Sequence, residues 1–131
     1  MSNTPPATQC PCGSQIAFKK CCAPFLSGER SAETALALMR SRYCAYVSNQ
    51  LDYVLQTWHP STRPAMTELE PRQWLGLRIR KVSLGGPNDC QGVVEFIARY
   101  RVAGKGYRLH ETSRFETQDG RWLYVDGDIH R

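Results

Sequence analysis

The chain has 131 residues, 41% of them hydrophobic and 22% charged, with a formal net charge of +5, which suits one globular domain with a small appendage. No run approaches the roughly 18 apolar residues a membrane helix needs, and the polar start "MSNTPPATQ" lacks the basic and apolar regions of a secretory signal, so a cytoplasmic protein with no membrane association is expected. The mild positive charge permits contact with nucleic acid or acidic surfaces and requires neither.

The segment "CPCGSQIAFKKCC", residues 10–22, gathers four of the six cysteines. A disulfide framework suits it poorly, because the cytosol keeps thiols reduced and a bridge between adjacent cysteines is strained. Two close pairs, Cys10 with Cys12 and Cys21 with Cys22, suit a tetrahedral Zn²⁺ ion held by thiolates at about 2.3 Å. Iron–sulfur or redox use and free thiols are the alternatives. Four sulfur ligands leave no open coordination position, so the expected cofactor is structural Zn²⁺, which would bring the net charge to about +3. Gly13 and Ser14 suit a tight turn, and Phe18, Lys19 and Lys20 are the expected partner contacts. Cys-Pro-Cys-Gly-Ser followed by Cys21-Cys22 resembles the SEC-C motif of the translocase motor SecA. That resemblance implies a zinc-stabilised knob, used in SecA to contact a chaperone and the ribosome, and hence a protein or ribosomal partner.

Pro24 and the linker "FLSGER" divide the chain into a zinc-binding segment, residues 1–26, and an α+β domain, residues 27–131. "SAETALALMRSRYCAYVSNQ" reads as a helix with Ser31 as N-cap and Glu33 in its first turn. Leu36, Met39, Tyr43 and Val47 form its apolar stripe, and Cys44 reads as a small core residue. "DYVLQTWHP" reads as a second helix stopped by Pro60, and a short helical turn is expected near "RQWLGL". From Leu77 the period changes to two. "LRIRKVSL", with a bulge near Lys81, is followed by "GVVEFIARYRV", "YRLHETSRFET" and "RWLYVDG", joined by turns at "AGKG" and "QDG". Helices followed by an antiparallel meander predict an α+β fold with helices on one face of a curved sheet.

This order resembles the cone-shaped fold of nuclear transport factor two and ketosteroid isomerase. With the cysteine motif, the stretches "LMRSRYCAYV", "TWHP", "LHETSRF" and "WLYVDG" resemble the bacterial YchJ family. The resemblance implies this architecture and assigns no reaction. It also implies a second, C-terminal cysteine motif in many members, which "GDIHR" does not reproduce, so one zinc knob is expected here.

On "YRLHETSRF" the face bearing Tyr107, Leu109, Ser113 and Phe115 also carries Glu111, and a carboxylate there must be paired, protonated or hydrated. The cone folds enclose a cavity, so Glu111 is expected to share one with Tyr43, Tyr46, Trp58, His59, Trp122, Tyr124 and Asp126. Either Glu111 or Asp126 acts there as a general base, or Glu111 pairs with Arg40 or Arg42. On the opposite face Arg99, Arg101, Arg108 and Arg114 form either a phosphate-binding stripe for RNA or a solvated surface. The expected function is a zinc-binding adaptor for a protein or ribosomal partner. The alternative is a small-molecule binder or acid–base enzyme working around Glu111. No catalytic set identifies an enzyme.

Overall fold

A computed structural model describes residues 8–131; the polar stretch 1–7, on which the reading of the N-terminus rests, lies outside the described residues. A 3-10 turn at Phe18–Lys20 and the short α1 (Ala23–Leu26) precede α2 (Ala35–Val47) and α3 (Leu51–Gln56). Four strands follow, β1 (Gln73–Leu84), β2 (Gln91–Val102), β3 (Lys105–Gln118) and β4 (Arg121–Ile129), paired antiparallel in the order β1-β2-β3-β4.

Thr34, not Ser31, caps α2, its Oγ1 accepting from the Ala37 N–H at 3.0 Å. Glu33 therefore precedes the helix. The start is displaced because the Ala35 N–H donates to Gly85 O at 2.9 Å, which pins the first turn against the β1–β2 connection. Two glycines permit that approach: a Cβ on Gly92 would lie 2.6 Å from Gly85 Cα and 2.9 Å from Ala35 Cβ. The buried face is wider than the predicted stripe. It takes in Leu38, Met39, Tyr43 and Cys44 together with Ser41 and Arg42, while Val47 stays exposed. Ser41 is satisfied by donating to Leu38 O (2.9 Å) and by the Tyr53 hydroxyl at 2.6 Å.

β1 begins at Gln73, so "RQWLGL" is strand and not a helical turn. Trp74, between exposed Gln73 and Leu75, already alternates with period two and packs its ring 5.7 Å from Tyr43 and 5.1 Å from Tyr100. The bulge near Lys81 is present as a register shift between Ile79 and Lys81, and a second shift lies between Trp74 and Gly76. The turns at Ala103–Gly104 and Asp119–Gly120 both place two successive residues at positive φ, the backbone twist that suits two-residue hairpins. The outer edge of β4 is covered by the chain after α3. The His59 N–H donates to Tyr124 O (2.7 Å), and the Tyr124 N–H donates to Thr57 O (2.8 Å).

The core joins Leu38, Met39, Tyr43, Val94, Phe96, Phe115 and Trp122 with Cys10, Cys12 and Cys22 in a single buried cluster. No helix among the described residues is long and apolar enough to cross a membrane. Gly92→Ala is expected to overpack the α2–sheet contact and cost about 1–3 kcal/mol, lowering the urea midpoint. Gly106→Ala, whose added Cβ meets open space, should leave the midpoint within experimental error of the parent.

Candidate functional site

The cysteine segment folds as a tight loop. The Cys10 N–H donates to Ile16 O at 2.8 Å, with Gly13 and Gln15 at φ 83° and 69°. The loop presses on β1: a Cβ on Gly13 would lie 2.9 Å from Leu77 O. The Sγ atoms of Cys10, Cys12, Cys21 and Cys22 all lie within 4.8 Å of one another. Cys12–Cys21 is 3.6 Å and Cys21–Cys22 is 3.9 Å, against the sulfur separation of about 3.8 Å set by a tetrahedron with bonds of about 2.3 Å. This donor set can hold a metal ion.

Hydrogen bonds from Cys22 and Cys44 hold the Cys12 thiol far below the ordinary thiol range. The same contacts, with burial, push Cys22 up. The nearest cationic support comes from α2, where Arg40 Nη1 donates to Cys12 O at 2.6 Å. Lys19 and Lys20 stand exposed, whereas Phe18 is half-buried against the core, so it is not the exposed contact its position in the motif suggests. The sequence reading of Cys44 as plain core missed a further feature: its Sγ lies 3.3 Å from Cys10 Sγ, a fifth sulfur beside the four.

Between α2 and the inner sheet face lies a cavity of about 210 Å³. Tyr43, Tyr46, Trp58, Glu111 and Tyr124 come together there, joined by Arg42, Arg72 and Trp74, which sequence reasoning did not place in it. Three expected members lie elsewhere. His59 sits in the turn after α3, its Nδ1 accepting from the Ser61 N–H at 3.1 Å. Trp122 fills the far end of the core, its Nε1 donating to Glu33 O at 3.1 Å. Asp126 faces outward because a register shift at Arg114/Phe115 sets Phe115 opposite Tyr124 but Arg114 opposite Asp126. The extra residue turns Asp126 onto the outer face, where it pairs with Arg114 at 2.6 Å and is no general base for the cavity.

Glu111 Oε2 accepts from Ser113 Oγ (2.5 Å) and from the Tyr124 hydroxyl (3.1 Å). Its carboxylate rests on Gly127, where any Cβ would overlap it. Neither Arg40 nor Arg42 pairs with it. Arg40 is engaged at Cys12, and Arg42 Nη1 donates to Val54 O and Thr57 Oγ1, both at 2.7 Å. The Arg42 guanidinium lies 5.0 Å from the Trp58 ring centre and 4.7 Å from that of Tyr124. It is 4% exposed, burial lowers its pKa, and it makes no ion pair among the described residues. Trp58 Nε1 is also buried without a hydrogen-bond partner. Burial raises the pKa of Tyr46, and burial with the Glu111 charge raises that of Tyr124.

On the outer face Arg99 stands directly opposite Arg108 in register. Arg114 is withdrawn from the expected basic stripe by its ion pairs to Asp126 and Asp128 (2.6 and 2.8 Å), leaving Arg99, Arg101 and Arg108.

Two family models match this architecture: the YchJ middle NTF2-like domain over residues 34–127 and the SEC-C motif over residues 8–24. A UPF0225 protein of Chromobacterium violaceum is 50% identical, over 90% of both chains, and one of Streptomyces coelicolor is 49% identical, over 95% of this chain and 98% of that one. The chain belongs to the YchJ-like UPF0225 family. The solution structure of a SEC-C motif-containing protein from Rhodopseudomonas palustris superposes with a TM-score of 0.84 at 37% identity, covering 95% of this chain and all of that one. A SEC-C motif-containing protein from Psychrobacter arcticus shares the fold, with a TM-score of 0.74 at 22% identity over 95% of this chain and 84% of that one. The predicted α+β fold and the SEC-C motif are both features of this family.

Elemental analysis of purified protein should find a metal equivalent that is lost in Cys12→Ser and retained in Cys44→Ala. Arg42→Met removes donors from two buried acceptors and should cost about 1.5–3 kcal/mol in chemical unfolding.

Proposed function

We propose that this family member binds a small organic molecule in the aromatic cavity, with the cysteine centre serving as a structural Zn²⁺ site. One observation carries the reading: Arg42 and Glu111 share the cavity wall without pairing with each other. A buried charge is ordinarily paired, and here the opposite charges are held apart by groups of their own. A molecule between them can offer a carboxylate or carbonyl to Arg42 and an amine or hydroxyl to Glu111, with its apolar body against Tyr43, Tyr46 and Trp74. At about 210 Å³ the space lies below the range filled by drug-sized ligands, so a fragment-sized zwitterion or hydroxy acid with one ring is the fitting class. The Tyr124 hydroxyl and the Glu111 carboxylate form an acid–base pair within the same space.

Phenylalanine, benzoate and benzylamine serve as probes, read by thermal shift and by the Trp58 indole N–H resonance. Phenylalanine is expected to bind best, raising stability by about 1.4 kcal/mol at ten times its Kd. Glu111→Gln should erase its advantage over benzoate. A Trp58 signal unmoved by all three probes, or a preference unchanged in Glu111→Gln, would overturn the reading.

The adaptor reading is supported by a different observation: Ile16 is 50% exposed, with Lys19 and Lys20 exposed nearby on the cysteine loop. A protein or ribosomal partner held there should be captured from lysate by the parent chain and lost in Ile16→Asp at unchanged metal content. Ribonuclease treatment separates a ribosomal partner from a protein one.

A further inference from the structure

The outer face of the sheet carries a second group of metal-binding side chains, chemically unlike the cysteine centre. Glu95 on β2, His110 on β3 and His130, one residue past β4, bring a carboxylate oxygen and two imidazole nitrogens within 4.8 Å of one another. The backbone fixes all three. Glu95 stands opposite Thr112 and His110 opposite Ile97, which sets Glu95 diagonal to His110 on one face. The His130 N–H donates to His110 O at 2.8 Å, continuing the β3–β4 ladder beyond the strand end. The two rings are consequently stacked, with centres 4.0 Å apart and planes 13° from parallel.

We propose that Glu95, His110 and His130 form a divalent transition-metal site of two nitrogens and one oxygen. Imidazole suits Zn²⁺, Ni²⁺ and Cu²⁺, and a set with one carboxylate and open positions leaves room for water or a donor from elsewhere. Ligand bonds near 2.0–2.2 Å place neighbouring donor atoms about 3.0 Å apart in octahedral and about 3.4 Å apart in tetrahedral geometry. His110 Nε2 and Glu95 Oε2 are 2.7 Å apart; to close on one ion they open by about 0.3–0.7 Å, and the two stacked rings splay so that their in-plane lone pairs converge. His130 Nε2 lies 2.6 Å from Thr112 Oγ1 and would exchange that partner for the ion. The local field is mixed. Lys81 faces Glu95 in register, while the neighbouring Arg114 is neutralised by Asp126 and Asp128. The sulfur set and this nitrogen–oxygen set differ in softness and in open positions, so a Zn²⁺-filled cysteine centre leaves the outer set to be read with Ni²⁺.

The test uses untagged full-length protein whose cysteine centre has been filled with Zn²⁺, titrated with Ni²⁺ by calorimetry and followed in amide correlation spectra. One Ni²⁺ equivalent beyond the cysteine centre is expected, with paramagnetic broadening centred on residues 95, 110–112 and 128–130. His110→Ala and His130→Ala should each weaken binding at least about tenfold, the scale on which even groups behind a metal's ligands matter. Glu95→Gln, which keeps the shape of the side chain, should weaken it as well. No Ni²⁺ binding by the Zn²⁺-filled parent, or binding unchanged in all three folded variants, would overturn the proposal. Broadening centred on His59 or on the cysteine loop would do the same.

Discussion

The start of the described chain is held to the rest by four thiols that must share one small volume. Metal-free, the cluster asks three buried sulfurs and a half-buried one to sit near van der Waals contact, with little hydrogen-bonding capacity to justify it. A divalent cation held there would supply the missing attraction, and binding energies for such sites, about 10–16 kcal/mol, rival the whole stability of a domain, about 5–15 kcal/mol. Because Cys10, Cys12 and Cys22 belong to the same buried cluster as Leu38, Tyr43 and Phe96, that energy would be delivered to the core itself. Arg40 and Cys44 on α2 and the Leu77 carbonyl on β1 are among the points where the loop meets the domain. The motif is therefore a staple as much as a knob, and α2, which carries the cavity's arginine, is held by it from the side opposite the sheet turn at Gly85.

The cavity illustrates how a fold can keep opposite charges apart. Arg42 is drawn towards the C-terminal turn of α3 by Val54 O and Thr57 Oγ1, and its face is covered by the rings of Trp58 and Tyr124. Glu111 is drawn the other way, along β3 and β4, by Ser113 and Tyr124. Tyr124 touches both, donating its hydroxyl to the carboxylate while lending its ring to the guanidinium. Direct ion pairing would satisfy the two charges and fill the space between them; the hydrogen bonds to Val54, Thr57 and Ser113 preserve that space instead.

Much of this was legible in the sequence because period and spacing report backbone geometry directly. The cysteine pairs, the helix-then-meander order, the bulge near Lys81 and the hairpin turns each rest on a local rule. What escaped depends on contacts distant in sequence. Thr34 displaced Ser31 as N-cap because Gly85, fifty residues on, holds Ala35. Arg40 and Arg42 are offered to Glu111 on charge, and nothing local announces that Cys12 O would claim the first and Val54 and Thr57 the second. Asp126, expected in the cavity wall with Tyr124, faces outward because one inserted residue in β4 reverses its face. His110 and His130 are remote in sequence, and only the β3–β4 register stacks them.

The two register shifts in β1 have an effect outside the molecule. Among the described residues β1 pairs only with β2; the cysteine loop meets its backbone at Leu77, and Leu75, Val82 and Leu84 are exposed along it. A straight apolar margin of that kind invites a second chain to add a strand. The breaks at Trp74/Gly76 and Ile79/Lys81 cut it into short pieces whose amides no longer present a continuous ladder, and Arg78, Arg80 and Lys81 add like charges that a second copy would have to meet. The irregularities that curve the sheet around α2 thus also interrupt the edge along which a further strand would have to pair.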